Sequence, residues 1–317
     1  MMYLFFLLFH SQVVSLSGAA QGTTWQVRYT GIPHPQLQSA IDSTLQEIDQ
    51  CLSLYRNDSE ISLFNKSTTW TYELPYFYPV LKKSAEIYTA THGAFDPTVM
   101  PLTAAYRAGK KSGQPWWEKK DSLLQYVGFT KIVFDENKVH KLQEQVRLDF
   151  DGIAQGYSVD VLATLLERNG ISDYMVEIGG EVRCKGRKNG IPWSIGIDNP
   201  LHPEAEASTV QLFNKAATTA GNYRDYYQQD GHTFGHIINP ATGATAPADL
   251  LSVTVFADDA ITADGYDTAF MVMGLEATKR FLLQHKELDA YLVYKGDDGQ
   301  LKVFVTEGIK PFIKGLP

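Results

Sequence analysis

The sequence predicts an α+β fold, because helical and strand patterns alternate along the chain while several strands follow one another through tight turns. Apolar residues make up 44% and charged residues 20% of the chain, which is typical of a globular protein with a sizeable core. The sequence lacks both the G-x-G-x-x-G turn of a Rossmann site and the G-x-x-x-x-G-K-[ST] loop of a P-loop site. We therefore expect mixed or antiparallel sheets with flanking helices.

The N-terminal segment has the composition of an export signal. Residues 1–20 contain no Asp, Glu, Lys or Arg, and Tyr3–Phe9 is an apolar run shorter than the ~20 residues that span a bilayer. Small residues at 17–20 are typical of a signal-peptidase site, although no Lys or Arg precedes Arg28. We expect a signal peptide or N-terminal apolar segment over 1–20, one domain over 21–317, and export to the periplasm or cell envelope. Whether the segment is cleaved or acts as an anchor stays open, and no cysteine follows it to carry a lipid.

Periodicity predicts the elements of the first half. Trp25, Val27 and Tyr29 alternate with polar residues, which indicates a half-buried strand. Apolar residues spaced by three and four indicate one face of a helix over 37–52. The same reasoning predicts a helix over 79–91, a hairpin of 132–134 with 139–142, a helix over 157–166, and a loop-like surface insertion over 107–120.

The second half follows the same rules. Strands are predicted over 174–178, 193–197 and 252–256, and helices over 264–273 and 275–285. The turn Asp297-Asp298-Gly299 joins two apolar segments into a final hairpin of 290–294 with 301–305.

Charge and cysteine content exclude some classes of protein. The chain has 28 basic and 36 acidic residues, a net charge of −8, which argues against a nucleic-acid-binding protein. Cys51 and Cys184 do not form a C-x-x-C pair. Two separate buried thiols are favoured over a disulfide, although the sequence leaves their pairing open.

The sharpest local cluster is Asp264-Gly265-Tyr266-Asp267-Thr268. In a helix that begins at Asp264, the residues Asp264, Asp267 and Thr268 share one face. Two carboxylates and a hydroxyl suit Mg²⁺ or Ca²⁺ better than zinc. Helix N-capping is the simpler explanation of such residues, and it accounts for one acidic residue better than for three matched oxygen groups.

Two further clusters are candidate sites. Residues 148–157 place Gly152, Ala154 and Gly156 at a strand-to-helix turn whose amides could face a phosphate, although a tight structural turn explains the same residues. Residues 236–243 combine His236, a candidate general base, with Asn-Pro and Thr-Gly turn signals. A structural role for a single histidine is the more common case.

Taken in order, seven segments resemble the ApbE family of FAD:protein FMN transferases. The resemblance covers essentially residues 21–317, and the seven segments in one order are specific, although each alone is modest. The matching segments are residues 54–61, 92–97, 148–157, 177–181, 218–224, 236–243 and 263–268.

The resemblance implies a T-fold-like architecture with two lobes around a flavin site. It implies Mg²⁺-dependent transfer of FMN from FAD to a threonine of an acceptor protein, such as an electron-transfer subunit, with release of AMP; association with the inner membrane is a further expectation. It implies His236 as the base and Gly152, Asp264, Asp267 and Thr268 as metal ligands. The residues implied at the FAD site are Tyr55, Ala94, Phe95, Asp96, Asp149, Gln155 and Ile238.

Alternatives remain at this point. The same metal site would serve an FAD pyrophosphatase, in which water replaces threonine and the products are FMN and AMP. A non-catalytic flavin-binding envelope protein is the alternative from a different class. The acceptor protein and the oligomeric state are not encoded in any motif that we find.

Overall fold

A computed structural model describes residues 12–200, 202–222, 226–229 and 232–315, and it has the α+β fold that the sequence predicts. Eight antiparallel strands form the main sheet, in the order β1-β2-β6-β7-β10-β13-β14-β15. Those strands are β1 (Val13–Ala20), β2 (Thr23–Thr30), β6 (Tyr174–Ile178), β7 (Glu181–Lys185), β10 (Lys215–Gly221), β13 (Leu250–Ala257), β14 (Asp289–Lys295) and β15 (Leu301–Val305).

The other strands of the described residues form three small antiparallel sheets. They are ordered β3-β5-β4, β11-β12 and β16-β9-β8. Their strands are β3 (Thr69–Thr71), β4 (Ile132–Phe134), β5 (Lys138–Lys141), β8 (Trp193–Asn199), β9 (His202–Leu212), β11 (Tyr226–Gln229), β12 (His232–Gly235) and β16 (Ile313–Lys314).

The described residues include eight α-helices, several of them packed on one face of the main sheet. Their bounds are α1 (Leu37–Leu52), α2 (Glu60–Phe64), α3 (Phe77–Ala90), α4 (Met100–Ser112), α5 (Lys120–Leu124), α6 (Ala154–Arg168), α7 (Ala260–Met273) and α8 (Leu275–Gln284). No helix of the described residues combines the length and apolar character that a membrane crossing requires.

The main sheet is covered on both faces, as alternation along its central strands shows. On β13, Val253 and Val255 join the large core beneath the helices, whereas Phe256 faces the opposite core. That second core lies against β8, β9 and β16, and it includes Trp193 and Val210. Successive side chains of a strand point to opposite faces, so a strand buried on both sides is apolar almost throughout.

Many predicted elements are confirmed. Helix α1 spans the predicted residues, and its five periodic apolar side chains are all buried. The β4–β5 and β14–β15 hairpins pair as expected. Cys51 and Cys184 are buried free thiols, so the preference for separate thiols is confirmed.

The prediction of a loop-like insertion over 107–120 is wrong. Helix α4 runs to Ser112, and a 3₁₀ turn at Trp116–Lys119 leads into α5. Trp116 is buried in a satellite apolar cluster, where its ring meets that of Tyr106 edge to face at 5.8 Å. The cluster also contains Leu102, Val127 and Ile238, so burial at helical spacing outweighs the polar composition of the segment.

The sheet begins before the predicted domain boundary at residue 21. Strand β1 pairs along its full length with β2 and forms one edge of the main sheet. Gly18 of β1 lies so close to the indole of Trp25 that a Cβ there would stand 2.6 Å from Nε1. Residues 1–11 lie outside the described residues, and the export signal stays a prediction.

Candidate active site

The oxygen-bearing side chains predicted from the sequence lie on one face of α7, and capping does not explain them. Helix α7 begins a turn earlier than predicted, because Asp259 is the N-cap and accepts a hydrogen bond from the Thr262 amide at 2.9 Å. Asp264 and Asp267 therefore lie inside the helix, and they are 5% and 2% exposed. Thr268 donates to Asp267 Oδ1 at 3.3 Å. We call Asp264, Asp267 and Thr268 the oxygen cluster.

Close packing of α6 against α7 fixes the position of Asp264. Gly156, in the first turn of α6, donates its amide to Asp264 Oδ2 at 2.7 Å. A Cβ on Gly156 would collide with the carbonyl oxygen of Ala260 and lie 2.7 Å from Asp264 Cβ. The residue must be glycine for this approach. The amide that the sequence offered to a phosphate thus binds a carboxylate of the chain itself.

The backbone at Gly152 lies against the other end of the oxygen cluster. A Cβ on Gly152 would stand 3.0 Å from Thr268 Oγ1 and 3.3 Å from its Cγ2. A backbone carbonyl, a hydroxyl and two carboxylates are hard oxygen donors of the kind that Mg²⁺ and Ca²⁺ prefer. Among the described residues, no group of three or more His, Cys, Asp or Glu side chains forms a metal site. Any ion here would depend on this mixed donor set.

The surroundings of the two carboxylates disfavour their charged forms. Burial raises the pKa of Asp267 well above its ordinary value, and repulsion from Asp264 adds to the effect. Burial also raises the pKa of Asp264 to about 7, against a hydrogen bond from the Gly156 amide. In the part of the chain that the structure describes, neither carboxylate forms an ion pair with Lys, Arg or His. A divalent cation would fit this deficit of positive charge.

Asp160 holds the start of α7 in place. Its carboxylate accepts the amides of Ala260 at 2.9 Å and Ile261 at 2.8 Å, and Arg183 of β7 bonds to it at 2.6 Å. Burial raises the pKa of Asp160, and the Arg183 charge opposes that rise. The helix that carries the oxygen cluster is therefore tied to α6 and to the main sheet.

A cavity of about 520 Å³ opens beside the oxygen cluster, between the main core and the satellite cluster around Trp116. It brings together nine of the twelve predicted site residues: Tyr55, Ala94, Phe95, Asp96, Asp149, Gly152, His236, Ile238 and Thr268. Asp264 and Asp267 are buried and do not line it. Gln155 does not line it either; its side-chain amide lies near Gly179, where a Cβ would stand 3.2 Å from Nε2.

Two of the cavity carboxylates have structural partners. Asp96 is 5% exposed and accepts hydrogen bonds from the amides of Thr98 at 2.8 Å and Phe129 at 3.1 Å. Asp149 accepts the Asp151 amide at 3.0 Å and the Thr103 hydroxyl at 2.9 Å. Both carboxylates thus shape the cavity wall, whatever they contact inside it.

An aromatic ring and an imidazole also line the cavity. Tyr55 is 82% exposed and stands at the mouth of the cavity. His236 is half-buried and lines the cavity just before the predicted turn. That turn is confirmed, because Asn239 Oδ1 accepts the Ala241 amide at 2.9 Å and the Asn239 carbonyl accepts the Gly243 amide at 2.8 Å.

Arg107 is a cavity residue that the sequence prediction missed. It donates to Asp151 at 2.7 Å and to Asp149 at 3.5 Å, and thereby ties α4 to the loop that carries Gly152. Burial raises the pKa of Asp151 to about 6, the Asp149 charge adds to this rise, and Arg107 opposes it. Thr103, Tyr106 and Arg107 all line the cavity at i, i+3 and i+4. That helical spacing is the sequence signal from which Arg107 could have been assigned to the cavity.

Comparison with known proteins agrees with this geometry. The "FAD:protein FMN transferase" of Vibrio cholerae is 34% identical, over 96% of this chain and 93% of its own length. The protein of the same name from Haemophilus influenzae is 33% identical, over 96% and 92%. The solved structure of "Flavin Transferase ApbE from Vibrio cholerae" superposes with a TM-score of 0.85 and covers 95% of this chain and 99% of its own.

The sequence model described as "ApbE family" matches residues 21–292, which is most of the chain. The match spans the elements that build the cavity, from the strand β2 to the strand β14. Together with relatives above 30% identity over nearly the whole length, it shows that this chain belongs to the ApbE family.

Proposed function

We propose that this chain transfers the FMN part of FAD to a threonine hydroxyl of an acceptor protein and releases AMP. The observation that carries the proposal is the single cavity that joins His236 to Thr268, at the edge of the buried oxygen cluster. The relatives named FAD:protein FMN transferase support the flavin and protein substrates. Those names specify neither a threonine acceptor nor a metal ion. We infer the threonine from the position of His236 and the metal ion from the oxygen cluster.

The proposed reaction is the displacement of AMP at phosphorus. His236 accepts the proton of the threonine hydroxyl, because an alcohol is a weak nucleophile until a base within about 3 Å takes its proton. The threonine oxygen then forms a bond to the FMN phosphorus, and the bond from that phosphorus to the bridging oxygen breaks. AMP leaves with the bonding electron pair, so the products are a phosphoester-linked FMN and AMP.

The oxygen cluster fits a Mg²⁺ ion. Asp264, Asp267 and Thr268 would hold it with their side chains and Gly152 with its carbonyl, since these are hard oxygen donors. A bound Mg²⁺ would stabilise negative charge on the phosphate oxygens. The chain itself provides the buried carboxylates, held by the Gly156 amide and by the anchored start of α7.

The FAD site would use the remaining cavity residues. Tyr55 and Phe95 offer aromatic surface for the ring systems of FAD, with about 1 kcal/mol each beyond area burial. Ala94 and Ile238 provide apolar wall, and Asp96 and Asp149 fix the backbone around it. Gln155 does not line the cavity, so its side chain would have to move from its position near Gly179 to contact FAD.

Hydrolysis of FAD to FMN and AMP is the second candidate function. The cavity mouth is open to solvent, since Tyr55 is largely exposed and His236 is half-buried. Water could therefore take the place of threonine whenever no acceptor occupies the mouth.

The test is to incubate the chain with FAD, Mg²⁺ and an electron-transfer subunit that carries one acceptor threonine. We expect a fluorescent covalent band on a denaturing gel, the mass of FMN on that threonine, and AMP in equal amount. The acceptor with valine in place of threonine should give no band, and chelation of Mg²⁺ should abolish AMP release. Release of FMN and AMP without any band would reject transfer in favour of hydrolysis.

We also propose that the chain acts in the periplasm or cell envelope, as its uncharged N-terminal residues suggest. Fractionation of cells that express the full chain, followed by mass spectrometry of its N-terminus, tests this. Recovery of the whole protein in the cytoplasmic fraction would reject it.

A further inference from the structure

The segment 107–120 is strongly basic in an acidic protein. It contains five basic residues and one acidic residue, whereas the whole chain has a net charge of −8. Lys111 and Lys119 are exposed and Lys120 is half-buried. We call these three side chains the lysine platform. Arg107 is not part of it, because its guanidinium bonds to Asp149 and Asp151 in the cavity wall.

The backbone under the lysine platform is held by close packing. A Cβ on Gly109 would lie 2.9 Å from both the Gln114 carbonyl oxygen and Trp116 Cβ, so α4 and the following turn are in tight contact. Helix α4 ends at Gly113 in a left-handed conformation with φ of 71°. Trp116 anchors the turn in the satellite cluster. The lysines thus extend from a fixed surface.

That surface adjoins two elements that line the cavity. The face of α4 with Thr103 and Tyr106 lines the cavity, and α4 carries Lys111 at its C-terminal end. A Cβ on Gly243 would stand 3.2 Å from Lys120 Cβ, so the platform touches the turn that follows His236. None of the three platform lysines lines the cavity itself. They lie at the surface outside it, exposed or half-buried.

On the proposed function, the molecule that stays outside the cavity is the acceptor protein, since only its threonine has to enter. We propose that the lysine platform docks an acidic segment of the acceptor protein that flanks the reactive threonine. Charge of one sign beside a binding cleft speeds the encounter with a partner of opposite charge and orients it. An anionic membrane surface would also be attracted to lysines, but the contact of Lys120 with the turn that follows His236 favours the protein that must present a hydroxyl to this cavity.

The test compares two triple variants with the same change of net charge. The first reverses the platform with Lys111→Glu, Lys119→Glu and Lys120→Glu. The control reverses three lysines that are exposed and line no part of the cavity, with Lys82→Glu, Lys138→Glu and Lys295→Glu. Flavinylation rates are measured against the concentration of the acceptor subunit at about 20 mM and about 500 mM salt, where screening is weak and strong.

We expect the platform variant to raise KM for the acceptor about tenfold at low salt, and less than about twofold at high salt. Its KM for FAD and its kcat should stay within about twofold of wild type, and the control variant should match wild type throughout. An unchanged KM for the acceptor in the platform variant overturns the proposal. An equal rise in KM for FAD also overturns it, because the lysines would then serve the nucleotide.

Two binding measurements separate this proposal from its alternatives. Polyglutamate should bind wild type and not the platform variant, as followed by tryptophan fluorescence, and it should compete with the acceptor but not with FAD. This result would support the docking chemistry even if the wild type formed no flavinylated band, which would reject the transferase function alone. Vesicles of phosphatidylglycerol that sediment wild type but not the platform variant, with no effect on KM for the acceptor, would assign the surface to the membrane instead.

Discussion

The oxygen cluster and the rim of the cavity differ in burial and in the sequence distance of the contacts that hold them. Asp264 and Asp267 of the cluster are almost fully buried, and residues distant in sequence contact the cluster, Gly156 at Asp264 and Gly152 at Thr268. The rim, with Tyr55, the turn after His236 and the lysine platform, is exposed or half-buried and is formed by local segments. The difference indicates that the chemistry depends on fixed geometry, whereas the surface that meets the substrates is open to change.

The strongest test of the buried region is Asp267→Asn. We expect turnover to fall at least about a thousandfold, because a bound metal ion contributes several kcal/mol of charge stabilisation. AMP release measures this loss. At a hundredfold excess over Kd, Mg²⁺ should stabilise the folded wild type by about 2.7 kcal/mol and thereby raise its unfolding temperature. The unfolding temperature of the variant should not change.

Asp258→Asn is the matched control for that experiment, since Asp258 lies on the surface with its side chain 86% exposed. It should leave both turnover and the Mg²⁺ effect intact. Turnover of Asp267→Asn within a few-fold of wild type would remove the metal assignment.

At the boundary between the two regions, His236→Gln should lower transfer about a hundredfold, the usual contribution of a general base. The affinity for FAD, measured by flavin fluorescence, should change less than about twofold. His140→Gln, a change at an exposed histidine bonded to Thr69, is the control. Equal losses of transfer and of FAD affinity would show that His236 supports the cavity wall rather than the proton transfer.

The dependence of the cluster on distant packing is tested by Gly156→Ala. The added methyl group meets the backbone of α7, so we expect a loss of about 2 kcal/mol in the free energy of unfolding. Gly170→Ala, with φ of 76° and open space around it, should cost only about 1 kcal/mol from its left-handed backbone. Denaturant unfolding compares the two. A smaller loss for Gly156→Ala would mean that α6 and α7 can separate at low cost.

The smallest effect is expected at the rim, for Tyr55→Ala. Loss of one aromatic contact at an exposed position should weaken FAD binding by about 1 kcal/mol, or about fivefold. Titration of flavin fluorescence measures the affinity, and Tyr55→Phe should retain it. If Tyr55→Phe is as weak as Tyr55→Ala, the hydroxyl rather than the ring contacts the ligand.

Local periodicity predicted the elements whose burial repeats regularly. The spacing of Leu37 through Leu52 defined α1, and the positions of Asp264, Asp267 and Thr268 predicted their shared face. The start of α7 was predicted a turn too late, because Asp264 itself resembles a cap while the actual cap is Asp259. A short polar side chain fits either position until the preceding backbone is known.

The errors of prediction occur where tertiary contacts outweigh composition. The glycines and lysines of 107–120 suggested a loop, yet burial of Tyr106 and Trp116 orders the segment. Strand β1, which pairs with β2 from Val13 onward, was not predicted, and the export signal stays a prediction. Arg107 was missed because its segment was predicted as a loop, which hid its helical spacing with Thr103 and Tyr106. Its contacts to Asp149 and Asp151 join elements more than forty residues apart.

The placement of three donors within one helical turn bears on ion size. Their mutual spacing follows the pitch of α7, about 5.4 Å per turn, and the anchoring of its first turn by Asp160 leaves little freedom to widen it. Ca²⁺ binds oxygen at about 2.3–2.6 Å, whereas Mg²⁺ binds it at about 2.0–2.1 Å. If a larger ion such as Ca²⁺ were bound, the strand-to-helix loop that carries Gly152 would therefore have to move, because the helix could not. Selectivity among divalent ions would then be a property of the backbone around Gly152, and not of the acidic residues themselves.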